Sequence, residues 1–131
     1  MDDIKPGLTG SAEIIVGTSD TAPRVGSGSI AVFATPKMIN LIEEAALDAV
    51  EARLPEGKQS LGTQVNVSHI AATPEGMRVR ATAELVEVDG RQLVFRVEAH
   101  DEQDVIGEGE HRRVVVTAAS FVDRINAKAR R

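Results

Sequence analysis

The sequence predicts an α+β fold: an antiparallel sheet curled around one long helix. Three observations carry this. A single segment has a long, strongly apolar helical period, Thr35 to Leu54. Four segments after it alternate with a period of two. Between those four there is no second helix of the kind that a parallel βαβ arrangement requires.

The helix has clear ends. Thr35 is a good N-cap residue, and Pro36 follows at the first helical position, where a missing N–H costs nothing. Pro55-Glu56-Gly57 stops it. Met38, Ile39, Leu41, Ile42, Ala45, Ala46, Leu47, Ala49 and Val50 cover more than half of its circumference. A helix lying on one flat surface needs a narrower stripe, so this one is expected to be wrapped by its surroundings.

The remaining elements follow in order. Residues 1–10 read as a loose lead-in, Ser11 to Gly17 as a first strand, Thr18 to Gly28 as a loop, and Ser29 to Ala34 as a short strand or extended approach to the helix. In the next strand Leu61, Thr63, Val65, Val67 and His69 are expected to face one way, with Gly62, Gln64, Asn66 and Ser68 opposite. Met77 to Leu85 and Leu93 to Ala99 alternate likewise, joined through the turn signal Asp89-Gly90. Val105 to Val116 forms a last long strand, eased by Gly107 and Gly109. The organisation is one domain over 1–131, with a core over about 8–117 and a short terminal helix over about 118–128.

Composition narrows the function. The 131 residues suffice for one core, but with three Phe and no Tyr or Trp that core must be built from Val, Ala, Leu and Ile. A core without large aromatic anchors gains from burial against a second subunit. The net charge of -5 argues against an extended nucleic-acid surface. The local exceptions are His111-Arg112-Arg113 and Lys128-Ala129-Arg130-Arg131, which read as ordinary charged surface or as contacts for the phosphates of a small ligand. The absence of Cys excludes thiolate chemistry, and the three histidines form no metal motif. No apolar run approaches a membrane span of about 20 residues, and the acidic N-terminus is not a secretory signal. A cytoplasmic protein is the expectation, with no membrane or nucleic-acid partner.

Three residues stand out chemically. Glu43 falls among Ile39, Ala46, Leu47 and Val50, apart from the polar stripe Asn40, Glu44, Asp48 and Glu51. A carboxylate in an apolar arc is paired or used. Pairing with Arg53 or with an arginine of a partner chain is the plainer account. His69 lies on the strand face of Val65 and Val67, where a satisfied core histidine is the alternative to a functional one. Thr35 has a hydroxyl that capping alone would explain. Together they make a carboxylate–imidazole–hydroxyl set suited to general acid–base work near neutral pH. Spacing leaves open whether they meet within one chain or across a dimer.

The segments Ala34-Thr35, Leu41-Ile42-Glu43, Ser60-Leu61-Gly62-Thr63, Val67-Ser68-His69, Ala71-Ala72-Thr73-Pro74-Glu75-Gly76, Val88-Asp89-Gly90-Arg91, Ile106-Gly107-Glu108-Gly109-Glu110-His111 and Asn126-Ala127-Lys128 keep a common spacing from about residue 8 to 128. In them the chain resembles the fluoroacetyl-CoA thioesterase branch of the hot-dog-fold acyl-CoA thioesterases. The resemblance implies a sheet wrapped around a central helix, packed as a homodimer, with a tetramer as the alternative. It implies Thr35, Glu43 and His69 as catalytic residues, Gly62 as the glycine whose main chain helps bind the thioester carbonyl, and Arg113 as a residue on the coenzyme A side of the pocket. The implied reaction is hydrolysis of a short or small acyl-CoA to free acid and coenzyme A, with no cofactor beyond the coenzyme A of the substrate and no metal. Where the family carries a bulky phenylalanine at the acyl end of the pocket, just before its threonine, this chain has Ser29; Phe33 is near in sequence. These two are placed with the substrate-binding positions, and Ser29 implies an acyl preference broader than, or different from, fluoroacetyl. An acyl-thioester dehydratase or hydratase of the same fold, and a non-catalytic acyl-CoA binding protein, are the competing readings.

Overall fold

A computed structural model describes residues 1–130. The elements are β1 (Thr9–Ile15), α1 (Ala22–Val25), α2 (Thr35–Val50), β2 (Lys58–His69), β3 (Arg78–Asp89), β4 (Gln92–His100), β5 (Val105–Thr117) and α3 (Ala118–Arg130). The five strands form one antiparallel sheet in the order β1-β3-β4-β5-β2. With α2 packed on its inner face, this is the expected hot-dog arrangement.

The expected loop over residues 18–28 is partly helical: a 3₁₀ turn at Thr18–Asp20 precedes α1. Asp20 organises it, accepting the Gly17 N–H at 2.8 Å and pairing with Lys37 at 3.4 Å. A reading of turn formers alone does not detect a one-turn helix closed by a side chain from its own sequence. The first strand begins two residues earlier than expected, and α2 ends at Val50, followed by a 3₁₀ turn at Glu51–Arg53.

Small residues bring α2 close to the sheet. A Cβ on Gly10 of β1 would run into the main chain of Ala45 and Ala49, so glycine there sets the spacing between strand and helix. Met38, Leu41, Ile42, Ala45, Ala46, Ala49 and Val50 are buried, as are Leu85, Leu93, Phe95, Val97 and Ile106 from the sheet. The apolar arc of α2 is nevertheless not wholly covered. The helix lies mainly over β1 and β3 and touches β2 only lightly. Ile39, Glu43 and Leu47, spaced four apart on one line, are therefore half-buried.

β2 departs from the expected alternation. Its pairing with β5 shifts between Gly62 and Gln64, leaving Thr63 as the extra residue of a bulge. Before the bulge the even positions Ser60 and Gly62 face the helix; after it Val65 and His69, the neighbours of His111 and Gly107, do so. Leu61 and Thr63 are thus not on the inner face, and Gly62 is. β2 is also an edge strand, twelve residues long, with Val65 36% exposed.

Candidate active site

The sequence-selected residues fall into two groups. At the N-terminus of α2, Thr35 Oγ1 lies 2.7 Å from His69 Nδ1. This corrects the capping expectation. Ala34 is the N-cap, Thr35 is the first helical residue, and no side chain caps the helix. The threonine hydroxyl is left for the histidine. In the tautomer with its proton on Nε2, His69 accepts this hydroxyl at Nδ1. Nε2 itself is buried without a hydrogen-bond partner among the described residues, which is the signature of a group that meets a ligand or water. Burial holds the His69 pKa below the ordinary imidazole value, and the nearby Ala71 main chain opposes the shift without reaching hydrogen-bond geometry. The ring is neutral at pH 7, the form that can take up a proton.

This pair opens into a cavity of about 380 Å³ whose wall includes Ser29, Ile30, Phe33, Ile70 and Ala71. Ser29 and Ile30 sit at its exposed mouth. Phe33 is a core residue 1% exposed, anchored by its N–H to the Thr73 carbonyl at 2.8 Å. The size is at the lower end of small-ligand pockets, and its walls are apolar or small.

The second group lies two turns along the helix. The Glu43 carboxylate is 3.6 Å from the Arg113 guanidinium, with the Glu43 side chain 37% exposed. Its partner is Arg113, not Arg53. A Cβ on Gly62 would lie 2.8 Å from Glu43 Oε2 and 3.2 Å from His111 Cε1, so only glycine leaves the carboxylate its place. Thr35 and Glu43 are eight residues apart, about 12 Å along the helix axis. Within one chain the structure joins Thr35 to His69, and Glu43 to Gly62 and Arg113, but does not join the two sets.

Arg113 is held by several protein partners. Its guanidinium is buried and occupied: Nε donates to Ser60 Oγ (2.8 Å), Nη2 to the Ser60 carbonyl (3.0 Å) and Nη1 to His111 Nε2 (3.1 Å). It faces Glu43. His111-Arg112-Arg113 is not a surface patch. His111 and Arg113 are buried, and Arg112 pairs with Glu110 at 2.9 Å. The period of two on β5 held the signal, since it places His111, Arg113 and Val115 on one inward face. Read as a run of charge, the segment hid it. Ser60 and Glu51 were also missed. Ser60 donates to Glu51 through its N–H (2.9 Å) and its hydroxyl (2.8 Å), a contact between a helix end and a strand that no spacing rule foretells.

The sequence profile of the fluoroacetyl-CoA-specific thioesterase family matches residues 16–119, a span that contains both groups. The chain belongs to the fluoroacetyl-CoA-specific thioesterase family. A fluoroacetyl-CoA thioesterase of Streptantibioticus cattleyicolor is 48% identical over 99 residues, 76% of this chain and 68% of that protein. A solved structure of the fluoroacetyl-CoA thioesterase FlK superimposes with a TM-score of 0.89 at 37% identity, covering 95% of this chain and 97% of the other. A hypothetical protein of Thermus thermophilus, described as a thioesterase superfamily member, gives a TM-score of 0.92 at 29% identity over 99% and 96% of the two chains. The family match thus spans α2, strands β2 to β5 and both groups of polar residues.

Proposed function

We propose that this protein hydrolyses the thioester of a small acyl-CoA, releasing the free acid and coenzyme A. The carrying observation is the Thr35–His69 pair, 2.7 Å apart, with the free Nε2 of His69 buried beside an apolar cavity. An acyl group in that cavity brings its carbonyl to the pair. The oxygen of water bonds to the carbonyl carbon as its proton passes to Thr35 Oγ1 and the threonine proton to His69 Nδ1; the C–S bond breaks, and the thiolate takes the proton of His69 Nε2. Glu43 either attacks the carbonyl, to form an anhydride that water then opens, or orients the water itself. Gly62 N–H and the positive end of α2 hold the developing oxyanion. Single turnover in ¹⁸O-water tests the covalent route, because label enters the Glu43 carboxylate only when water opens an anhydride at the Glu43 carbonyl.

The reaction needs Glu43 near the thioester, and a homodimer supplies it. The free edge of β2 invites antiparallel pairing with a second copy. A two-fold axis at Asn66, with Thr63 bulged out of the ladder, sets Gly62 of one protomer opposite His69 of the partner subunit. The Thr35–His69 pair of each protomer then meets the partner's Glu43. A cytoplasmic location is in keeping with an acyl-CoA substrate. With Ser29 at the cavity mouth there is no aromatic lid, so short acyl groups are accepted broadly. The test is thiol release across acetyl-, fluoroacetyl-, propionyl-, branched and aromatic acyl-CoAs. Turnover of several short substrates is expected. No thiol release from any of them ends the thioesterase reading; dominant selection of fluoroacetyl- over acetyl-CoA ends the claim of breadth alone.

A further inference from the structure

We infer that His111 is a positioning residue for the Glu43 carboxylate, acting by holding the Arg113 guanidinium against it. The inference rests on the thioesterase reading above.

His111 is fully buried, in the middle of β5. Its Nδ1 is 2.8 Å from the Gln64 carbonyl, at the bulge of β2. A carbonyl only accepts, so the ring proton is on Nδ1. Nε2 is then an acceptor, and it meets a group that only donates, Arg113 Nη1 at 3.1 Å. Both neighbours require the same neutral tautomer. Phe95 stacks on the ring at 6.1 Å between centroids, fixing its plane. Burial, with the Arg113 charge beside it, holds the imidazole below its ordinary pKa, against the Gln64 carbonyl and Glu43.

The guanidinium is thereby gripped at both ends. Ser60, braced by Glu51, takes Nε and Nη2, and His111 takes Nη1, the nitrogen that faces Glu43 Oε2 at 3.6 Å. Without His111 that nitrogen loses its short hydrogen bond, and the carboxylate loses its fixed counter-charge. Glu43 is half open to water and has no other ion-pair partner among the described residues. Its direction depends on Arg113, and that of Arg113 on His111.

Two amides separate this from a merely structural buried histidine. In His111→Gln the amide oxygen stands near the Nε2 position and can accept from Arg113. In His111→Asn the amide reaches only the Nδ1 position, keeping the tie to Gln64 and losing Arg113. With acetyl-CoA in the thiol-release assay, His111→Gln is expected to stay within about fivefold of wild-type kcat. His111→Asn is expected to lose on the order of 100-fold, the effect of a misplaced catalytic group, with KM within about twofold. Ser60→Ala loosens the other end of the guanidinium with little packing change and is expected to lower kcat about tenfold, again at unchanged KM. Equal kcat for Gln and Asn, or the better enzyme in Asn, overturns the inference. So does wild-type kcat in Ser60→Ala, which decides the matter should His111→Asn not fold. Inactive wild-type protein overturns the thioesterase reading instead.

Discussion

Thr35 and His69 show how a side chain with a bland local explanation is redirected by what stands opposite. Ala34 forms the cap position, so the threonine hydroxyl meets an imidazole 2.7 Å away. Thr35→Ser should keep most of the activity and Thr35→Ala should lose it, at nearly unchanged melting temperature, because the helix start does not use the hydroxyl. Glu43→Gln preserves shape and removes charge; kcat should fall by about 10²–10⁴-fold, the usual worth of a positioned acid or base. Circular dichroism checks that the fold is intact, and near-normal turnover removes Glu43 from the mechanism. Two histidines, the buried His111 and the half-buried His69, also make a stability prediction. Both have folded pKa values below 6.5, chiefly through burial. Above that pH they are neutral in the folded and unfolded chains alike, and stability is flat. Below it the unfolded chain binds protons that the folded chain refuses. Stability then falls by up to about 1.4 kcal/mol per pH unit for each histidine, until the folded pKa is reached. Melting temperatures between pH 7.5 and 5.5 should show this fall, and His111→Gln should lessen it.

Two glycines separate the roles of the elements. Gly10 lets β1 lie against α2, and a Cβ there meets main chain that cannot swing aside. Gly10→Ala should destabilise by about 1–3 kcal/mol, the range for overpacking, while the folded fraction retains its specific activity. Gly62 faces a carboxylate instead. Gly62→Ala should displace Glu43 and lower kcat strongly with a smaller loss of stability. Thermal melts and thiol-release kinetics on the same two proteins test the contrast; a Gly62→Ala protein with normal kcat would show that the glycine only shapes the strand. The bulge at Thr63 is what turns Gly62 inward. It also explains why a strict alternation, correct for Val65 and His69, inverted the face of Leu61, Gly62 and Thr63.

At the scale of the whole molecule, the two polar groups stand about 12 Å apart on one helix and have a long free strand between them. The proposed dimer, paired through β2, would join them, and two results are expected. Val65→Lys, a charge on the paired edge, should give a monomer by sedimentation and abolish turnover. Mixing Glu43→Gln with His69→Ala protein under conditions of subunit exchange should restore activity, since the mixed dimer has one site with both groups intact. Random pairing of equal amounts leaves about a quarter of all sites complete. No recovery after demonstrated exchange would mean that each site belongs to one chain.

Much of this was legible in the residues themselves. A long helical period followed by period-two segments and Asp89-Gly90 dictates a helix and antiparallel strands, because hydrophobic burial must follow the geometry of each element. Glu43 was visible as a charge in an apolar arc for the same reason. What surrounds these residues was not legible. The release of Thr35 from capping, the inward turn of Gly62 and the engagement of Arg113 by Ser60 and His111 depend on which strand lies beside which, and on one extra residue in β2. Local sequence determines which groups the protein possesses. Only the tertiary structure decides which of them are buried together, since hydrogen bonds and charge pairs between distant segments exist only once the sheet has closed around the helix.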